Sequence, residues 1–186
     1  MGRRRAMKTT LGEIWSHNPC GKEKGSNQGW DKLTTYLGTS DLDTQVSFEQ
    51  ILKSNGILNA VWALRVLDYR DQCLFIADVS ESVLHMVEAR FPGDTQTRKY
   101  IDGIRRWHSS EINDRELESL KHNAARDLTY DHAYAVTAHV VYTHTLAYVV
   151  AAYDRAADDI DVAAARTEKW KEIEKIFKKH FCKEAA

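Results

Sequence analysis

The sequence is poor in the residues that interrupt helices and in those that form crosslinks. It has only two prolines, and no segment alternates apolar and polar residues for long enough to predict a β-strand. The expected fold class is therefore all-α, with helices packed orthogonally or as a bundle. Three cysteines stand far apart without a CxxC pair, which favours neither a disulfide framework nor a zinc knuckle, so no cofactor is expected.

The sequence also lacks an excess of either charge. Its 186 residues carry 26 basic and 27 acidic side chains, a formal net charge of −1 at pH 7. This balance gives no general attraction to nucleic acid or to an anionic membrane surface, so neither is an expected partner. The one local bias is the basic cluster RRRAMK at residues 3–8. We interpret residues 1–10 as a flexible basic tail that precedes a single helical domain over residues 11–183.

No apolar run follows the N-terminal arginines, so a secretory signal is not expected and the cytoplasm is the expected location. One stretch, residues 132–153, has no Asp, Glu, Lys or Arg and is long enough to be considered as a membrane span. Its three histidines and three threonines make it a poor span. We expect it to form a long central apolar helix covered by its neighbours.

Apolar periodicity and capping residues predict the other helices. Ser47 with Gln50 is typical of a capping box, and Asn55-Gly56 is typical of a helix stop. One further helix is expected to open at Thr95 or Thr97 and another to be capped by Asn113. The remaining helices are predicted over residues 11–15, 30–37, 48–53, 57–67, 71–91 and 162–181.

Two segments are candidate partner-binding surfaces. Asp154, Asp158 and Asp161 share one face of a helix, where they could steer a basic partner, although a solvated face is also typical of such a pattern. The second candidate is the Gly-rich segment of residues 20–30. Its proposed contact residues are Lys22, Lys24 and Trp30. The five tryptophans of the chain lie near apolar helical faces and are interpreted as core residues.

A metal site is the alternative hypothesis for the histidines. Neither His-x-x-x-His nor Glu-x-x-His occurs, and histidines seven residues apart on a helix lie too far from each other to bind one metal. Asp131-His132 has the reverse order of the His-Asp pair of HD phosphohydrolases. With His122 added, these residues would form the metal site of an all-α metal-dependent phosphohydrolase.

The segments PCG, GWDKL and LG, followed by ILKSNG and AVWALR, resemble a group of small helical proteins of phages, prophages and bacteria. Some of these are labelled immunity proteins of bacterial polymorphic toxin systems. The resemblance implies an all-α fold without a catalytic residue. It also implies a non-enzymatic protein that neutralises a toxin, or a host or phage defence factor, by stoichiometric binding. If the protein is phage-encoded, its location would be the host cytoplasm.

Two other functions stay open beside this protein-binding inhibitor. One is the metal-dependent phosphohydrolase using His122, Asp131 and His132. The other is a nucleic-acid-associated phage accessory protein that uses the N-terminal arginines to contact phosphates. Assembly into a homo-oligomer is compatible with each of the three.

Overall fold

The computed structural model describes residues 7–90, 92–93, 95–127 and 162–182. Within these ranges most residues are helical, which confirms the predicted fold class, and the only β-structure is a pair of three-residue strands. The predicted central helix over residues 132–153 lies outside the described residues. The elements in chain order are β1 (Lys8–Thr10), α1 (Leu11–Ser16), α2 (Gly29–Leu37), β2 (Gln45–Ser47), α3 (Phe48–Trp62), a 3-10 helix (Ala63–Val66), α4 (Tyr69–Arg90), α5 (Gln96–His108), α6 (Asp114–Asp127) and α7 (Val162–Phe181).

The chain divides into two units. The first contains Met1–Leu67 and Trp170–Ala186, and the second contains Asp68–Lys169. The first unit thus joins the N-terminal elements to the end of α7, whereas the second contains α4, α5 and α6. The expectation of one domain over residues 11–183 stays a prediction.

Strands β1 and β2 form an antiparallel ribbon in which Thr9 is paired with Val46. Val46 is fully buried and Thr9 is only 4% exposed, so the ribbon contributes to the core of the first unit. Residues 8–10 were expected to belong to the flexible tail. They form β1 instead, because the buried Thr9 and the pairing with β2 hold them in place.

Each strand of the ribbon leads directly into a helix through a capping box. At the start of α1, the Thr10 hydroxyl accepts the Glu13 N–H at 3.1 Å while the Glu13 carboxylate accepts the Thr10 N–H at 3.0 Å. At the start of α3, Ser47 and Gln50 make the same pair of bonds at 3.2 and 2.9 Å. The capping box predicted from Ser47 and Gln50 is therefore confirmed, and a second one precedes α1.

The core of the first unit is centred on three phenylalanines. Phe48 at the start of α3 lies 6.2 Å from Phe177 and 5.6 Å from Phe181, measured between ring centroids. The two α7 rings are 5.1 Å apart, and all three side chains are almost completely buried. Ile173 extends this stripe by one turn at the four-residue spacing that an amphipathic helix requires. The predicted helix over residues 162–181 is confirmed.

Helix α3 is interrupted at Gly56. Its backbone has φ of 75° and ψ of 175°, which is not helical, and the helix resumes after it. The sequence predicted this stop at Asn55-Gly56, with a new helix over residues 57–67. The second part of α3 ends at Trp62 and continues as the 3-10 helix over Ala63–Val66. Only glycine adopts such a φ/ψ pair readily, because it has no Cβ.

Arg70 links the three helices of the second unit. Its guanidinium lies 4.5 Å from the centre of the Trp107 ring and donates hydrogen bonds to the Trp107 carbonyl at 3.2 Å and to the Ser110 hydroxyl at 3.1 Å. The Trp107 indole N–H donates in turn to the Asp114 carboxylate at 2.6 Å. The start of α4, the end of α5 and the start of α6 are thereby joined through the buried Trp107.

Replacing Gly56 with alanine should lower the free energy of unfolding by about 1–3 kcal/mol, because a Cβ strains the backbone at this φ even where no neighbouring atom obstructs it. Urea denaturation measures this effect. Gly93→Ala is the matched control, since its Cβ also meets open space and its φ is not positive. Equal stability of the two variants would contradict the assigned conformation of Gly56.

Replacing Arg70 with alanine should destabilise the second unit by about 1–2 kcal/mol, because the stacking on Trp107 and the hydrogen bond to its carbonyl are both lost. Thermal unfolding followed by tryptophan fluorescence provides the measurement. In the control Arg106→Ala, the lost partner is an exposed Glu111 carboxylate 3.8 Å away, and the expected change is below about 0.5 kcal/mol.

Candidate protein-binding surface

The connection between α1 and α2, the 17–28 loop, is fixed by backbone hydrogen bonds to the first turn of α2. The Trp30 N–H donates to the Cys20 carbonyl at 2.9 Å, and the Asp31 N–H donates to the Gly21 carbonyl at 3.2 Å. The side chain of Gln28, the residue before α2, makes no capping bond. Loop carbonyls therefore satisfy N–H groups that a helix start otherwise leaves without partners.

The carboxylate of Asp31 holds the centre of the loop. It accepts the Gly25 N–H at 3.0 Å on one oxygen and the Asn27 N–H at 2.8 Å on the other. These bonds, first that of Gly25 and then that of Asn27, lower the pKa of Asp31 because they stabilise its charged form. The charge of Lys24 acts in the same direction. Asp31 is thus ionised at neutral pH and organises a loop with few apolar side chains.

Gly21 allows the loop to close. Its φ is 72°, and a Cβ at this position would lie 2.5 Å from the Cβ of Gln28. Both the left-handed backbone and the close approach of Gln28 therefore require glycine here. The two ends of the loop can meet above α2 only because this position has no side chain.

Trp15 is the prominent side chain of this surface. It is 37% exposed, whereas Trp30, whose ring centroid lies 4.8 Å away in an edge-on arrangement, is only 6% exposed. The Lys22 ammonium lies 3.9 Å from the centre of the Trp15 ring, within the range of a cation–π interaction. Trp15 is thus supported from below by Trp30 and covered on one face by a loop lysine.

Helix α3 also supports the loop, at the end where the loop joins α2. The Asn55 side-chain amide donates to the Gly29 carbonyl at 2.7 Å, which links α3 to the first residue of α2. The Asn59 amide donates to the Asn55 carbonyl at 3.1 Å. A Cβ on Gly29 would lie 3.0 Å from the Cys20 sulfur and 3.2 Å from the Asn59 side-chain oxygen, so these groups pack closely at this point.

Two leucines add exposed apolar area in the first unit. Leu42 is 44% exposed, and its carbonyl accepts the Gly12 N–H one turn before Trp15. Leu58 is 58% exposed and lies on α3, between the two asparagines that support the loop. We define the loop surface as Trp15 together with the loop lysines Lys22 and Lys24.

The structure separates the predicted contact residues of this loop. Lys22 and Lys24 are exposed, whereas Trp30 is buried beneath Trp15. Trp30 therefore supports the surface instead of presenting its own ring. Trp15 had been interpreted as a core residue, and this interpretation was wrong because α1 has only six residues and buries Leu11 and Ile14 on its inner side.

Other predicted site residues lie outside the described residues, namely Asp154, Asp158, Asp161, Asp131, His132 and the arginines of residues 3–5. His122 is described and lies on α6, where its Nδ1 is 2.8 Å from the Glu118 carbonyl oxygen. In the described part of the chain, no group of three or more His, Cys, Asp or Glu residues is arranged to hold a metal ion. The phosphohydrolase and nucleic-acid hypotheses stay predictions.

A concavity in the first unit lies between α3 and the end of α7. It has a volume of about 840 Å³ and opens to solvent. Two Glu-Lys pairs line it, Glu49 with Lys53 at 2.7 Å and Glu174 with Lys178 at 2.5 Å. Burial raises the pKa of the Cys182 thiol in this groove to about 11, so the thiol is protonated and a poor nucleophile at neutral pH.

Comparisons with known proteins give no relative for this chain. No family model, no curated protein and no solved structure matches it. The resemblance to immunity proteins therefore stays a prediction. None of the helices within the described ranges is long and apolar enough to cross a membrane.

Replacing Asp31 with asparagine should loosen the 17–28 loop, because the amide has one acceptor oxygen where the carboxylate has two. One of the N–H groups of Gly25 and Asn27 then loses its partner, and its hydrogen exchange at neutral pH should become faster than in the wild type. Asp43→Asn, on an exposed carboxyl outside the loop, is the control and should leave both amides unchanged.

The hydrogen bonds from Gly25 and Asn27 to Asp31 also predict that stability depends on pH. Because the folded-state pKa of Asp31 is lowered, its contribution to stability is fully present above the pKa of the unfolded chain. It is lost as the pH falls through the lower folded-state value. In NMR titrations, the amide signals of Gly25 and Asn27 should shift together in this acid range. Signals that do not move would exclude the two bonds to Asp31.

Proposed function

We propose that this protein is a non-enzymatic inhibitor that neutralises a toxin, or a host or phage defence factor, by stoichiometric binding, as an immunity protein does. We place its contact with that protein at the loop surface. The observation that supports this proposal is an exposed tryptophan, Trp15, held in a fixed orientation by Trp30 and Lys22.

Trp15 has the properties of an interface anchor. Tryptophan, tyrosine and arginine account for most of the residues whose truncation strongly weakens protein complexes. An indole that is one-third exposed in the free protein can still bury a large apolar area on binding. Leu42 and Leu58 provide further apolar area in the same unit, while Lys22 and Lys24 supply polar groups of the kind that surround such anchors.

The loop is also organised before any partner binds. Asp31 fixes Gly25 and Asn27, and the carbonyls of Cys20 and Gly21 fix the start of α2. Ordering a flexible loop on binding lowers affinity, because each immobilised group loses conformational entropy. A loop that is already hydrogen-bonded avoids most of this loss, which suits a tight stoichiometric inhibitor.

The test begins with capture of binding proteins from host lysate by the tagged full-length chain, followed by calorimetry with the purified partner. The wild type should retain one protein in a 1:1 ratio. Trp15→Ala should raise the dissociation constant about 30-fold or more, as expected for loss of an anchor residue that contributes at least about 2 kcal/mol to binding.

Tyr36→Ala is the matched control. Tyr36 is an exposed aromatic residue of the same unit, 51% exposed, and lies at the other end of α2 from the loop. The Tyr36→Ala variant should retain wild-type affinity for the partner. If Trp15→Ala and Tyr36→Ala bind equally well, the assigned surface is wrong. If neither lysate nor a panel of candidate toxins yields a stoichiometric partner, the inhibitor function itself is contradicted.

A further inference from the structure

Asn55 and Gly56 combine two features of the first unit that the binding proposal does not use. Asn55 supplies the bond between α3 and the Gly29 carbonyl, and its own side-chain oxygen is buried without a hydrogen-bond partner. Gly56 follows directly, at the point where the backbone of α3 leaves the helical conformation. The sequence contains no other Asn-Gly pair.

We propose that Asn55 is a site of spontaneous deamidation, and that its conversion releases the start of α2 from α3. The backbone nitrogen of Gly56 attacks the side-chain carbonyl carbon of Asn55, forming a C–N bond and a five-membered imide. The Asn55 side-chain nitrogen leaves as ammonia, and the Gly56 amide proton passes to solvent base. Water then opens the imide at either carbonyl and leaves aspartate or isoaspartate at position 55.

The local backbone favours Asn55 over the other asparagines. Attack by the following nitrogen is hindered by the side chain of the following residue, and a glycine has none. Each of the other five asparagines precedes a residue with a side chain, namely Pro19, Gln28, Ala60, Asp114 and Ala124. Gly56, whose nitrogen must reach the Asn55 side chain, is also the residue at which α3 has non-helical φ and ψ.

The product cannot keep the bond to Gly29. An ionised carboxylate only accepts hydrogen bonds, so at neutral pH it has no proton to share with the Gly29 carbonyl oxygen 2.7 Å from the former amide nitrogen. The Asn55 side-chain oxygen is already buried without a partner, so the new charge also enters a poorly solvating environment. We therefore expect the carboxylate to turn away and the first turn of α2, with the adjoining loop, to become less protected.

The chemical step is independent of the proposed function, and only its effect on binding depends on it. Folded wild-type protein is incubated at mildly alkaline pH, and the peptides that contain each asparagine are quantified by mass spectrometry. Asn55 should convert first, giving aspartyl and isoaspartyl peptides that elute separately. Asn59, one turn further along the same helix, is the internal control and should remain an amide.

The structural step is measured on Asn55→Asp by hydrogen exchange. The Trp30 and Asp31 amides, which bond to loop carbonyls, should exchange roughly tenfold faster than in the wild type, because a buried hydrogen bond that supports them is lost. Asn113→Asp in the second unit is the control, since aspartate is an equally good helix cap and these amides should not change.

Two results would overturn the proposal. One is an intact Asn55 in samples where Asn27 or Asn59 has already converted, which would refute the chemical step. The other is an Asn55→Asp variant whose Trp30 and Asp31 amides exchange as slowly as those of the wild type, which would refute the release of α2. Neither result depends on whether a partner protein binds the loop surface.

Discussion

The structure of the first unit depends on hydrogen bonds to the backbone N–H groups at the starts of its helices. A helix leaves its first N–H groups without internal partners, and the first three helices solve this in two ways. Capping boxes serve α1 and α3, while α2 uses the carbonyls of the loop that precedes it. The paths of the ribbon and of the 17–28 loop follow from these bonds, because the chain must bring its acceptors to the helix starts.

The loop surface is a consequence of this arrangement. With Gly21 folded back onto Gln28 and Asp31 bonded to two loop amides, the lysine at position 22 is brought over the ring of Trp15. The ring cannot sink further inward, since the buried Trp30 occupies the space beneath it. A short helix with a narrow buried face thus presents a large aromatic side chain to solvent.

Local signals in the sequence predicted the helices well. Ser47 with Gln50, Asn113, and the Asn55-Gly56 stop all act where expected, because capping depends on residues only a few positions apart. Strands β1 and β2 were both missed because three residues are too few for alternation to be recognised. They are also distant from each other in sequence, so only the folded chain brings them together.

The candidate site was predicted only in part. Composition indicated a loop before α2 and drew attention to its lysines. It could not show that Trp15 is exposed and Trp30 buried, because this depends on which ring the fold places inside. The function of Asp31 could not be recognised either, since its two bonds require left-handed backbone at Gly25 and Asn27. An Asp four residues after an Asn in a Gly-rich segment is the one signal that could have suggested such a bond.

The capping boxes have a further effect on the ribbon itself. A two-stranded sheet has two open edges, and an additional strand from another molecule could pair with either of them. The last N–H of β1 is already bonded to Glu13 and the last N–H of β2 to Gln50. An incoming strand would have to displace a side chain at both edges, so the same bonds that start the helices oppose intermolecular sheet growth and aggregation.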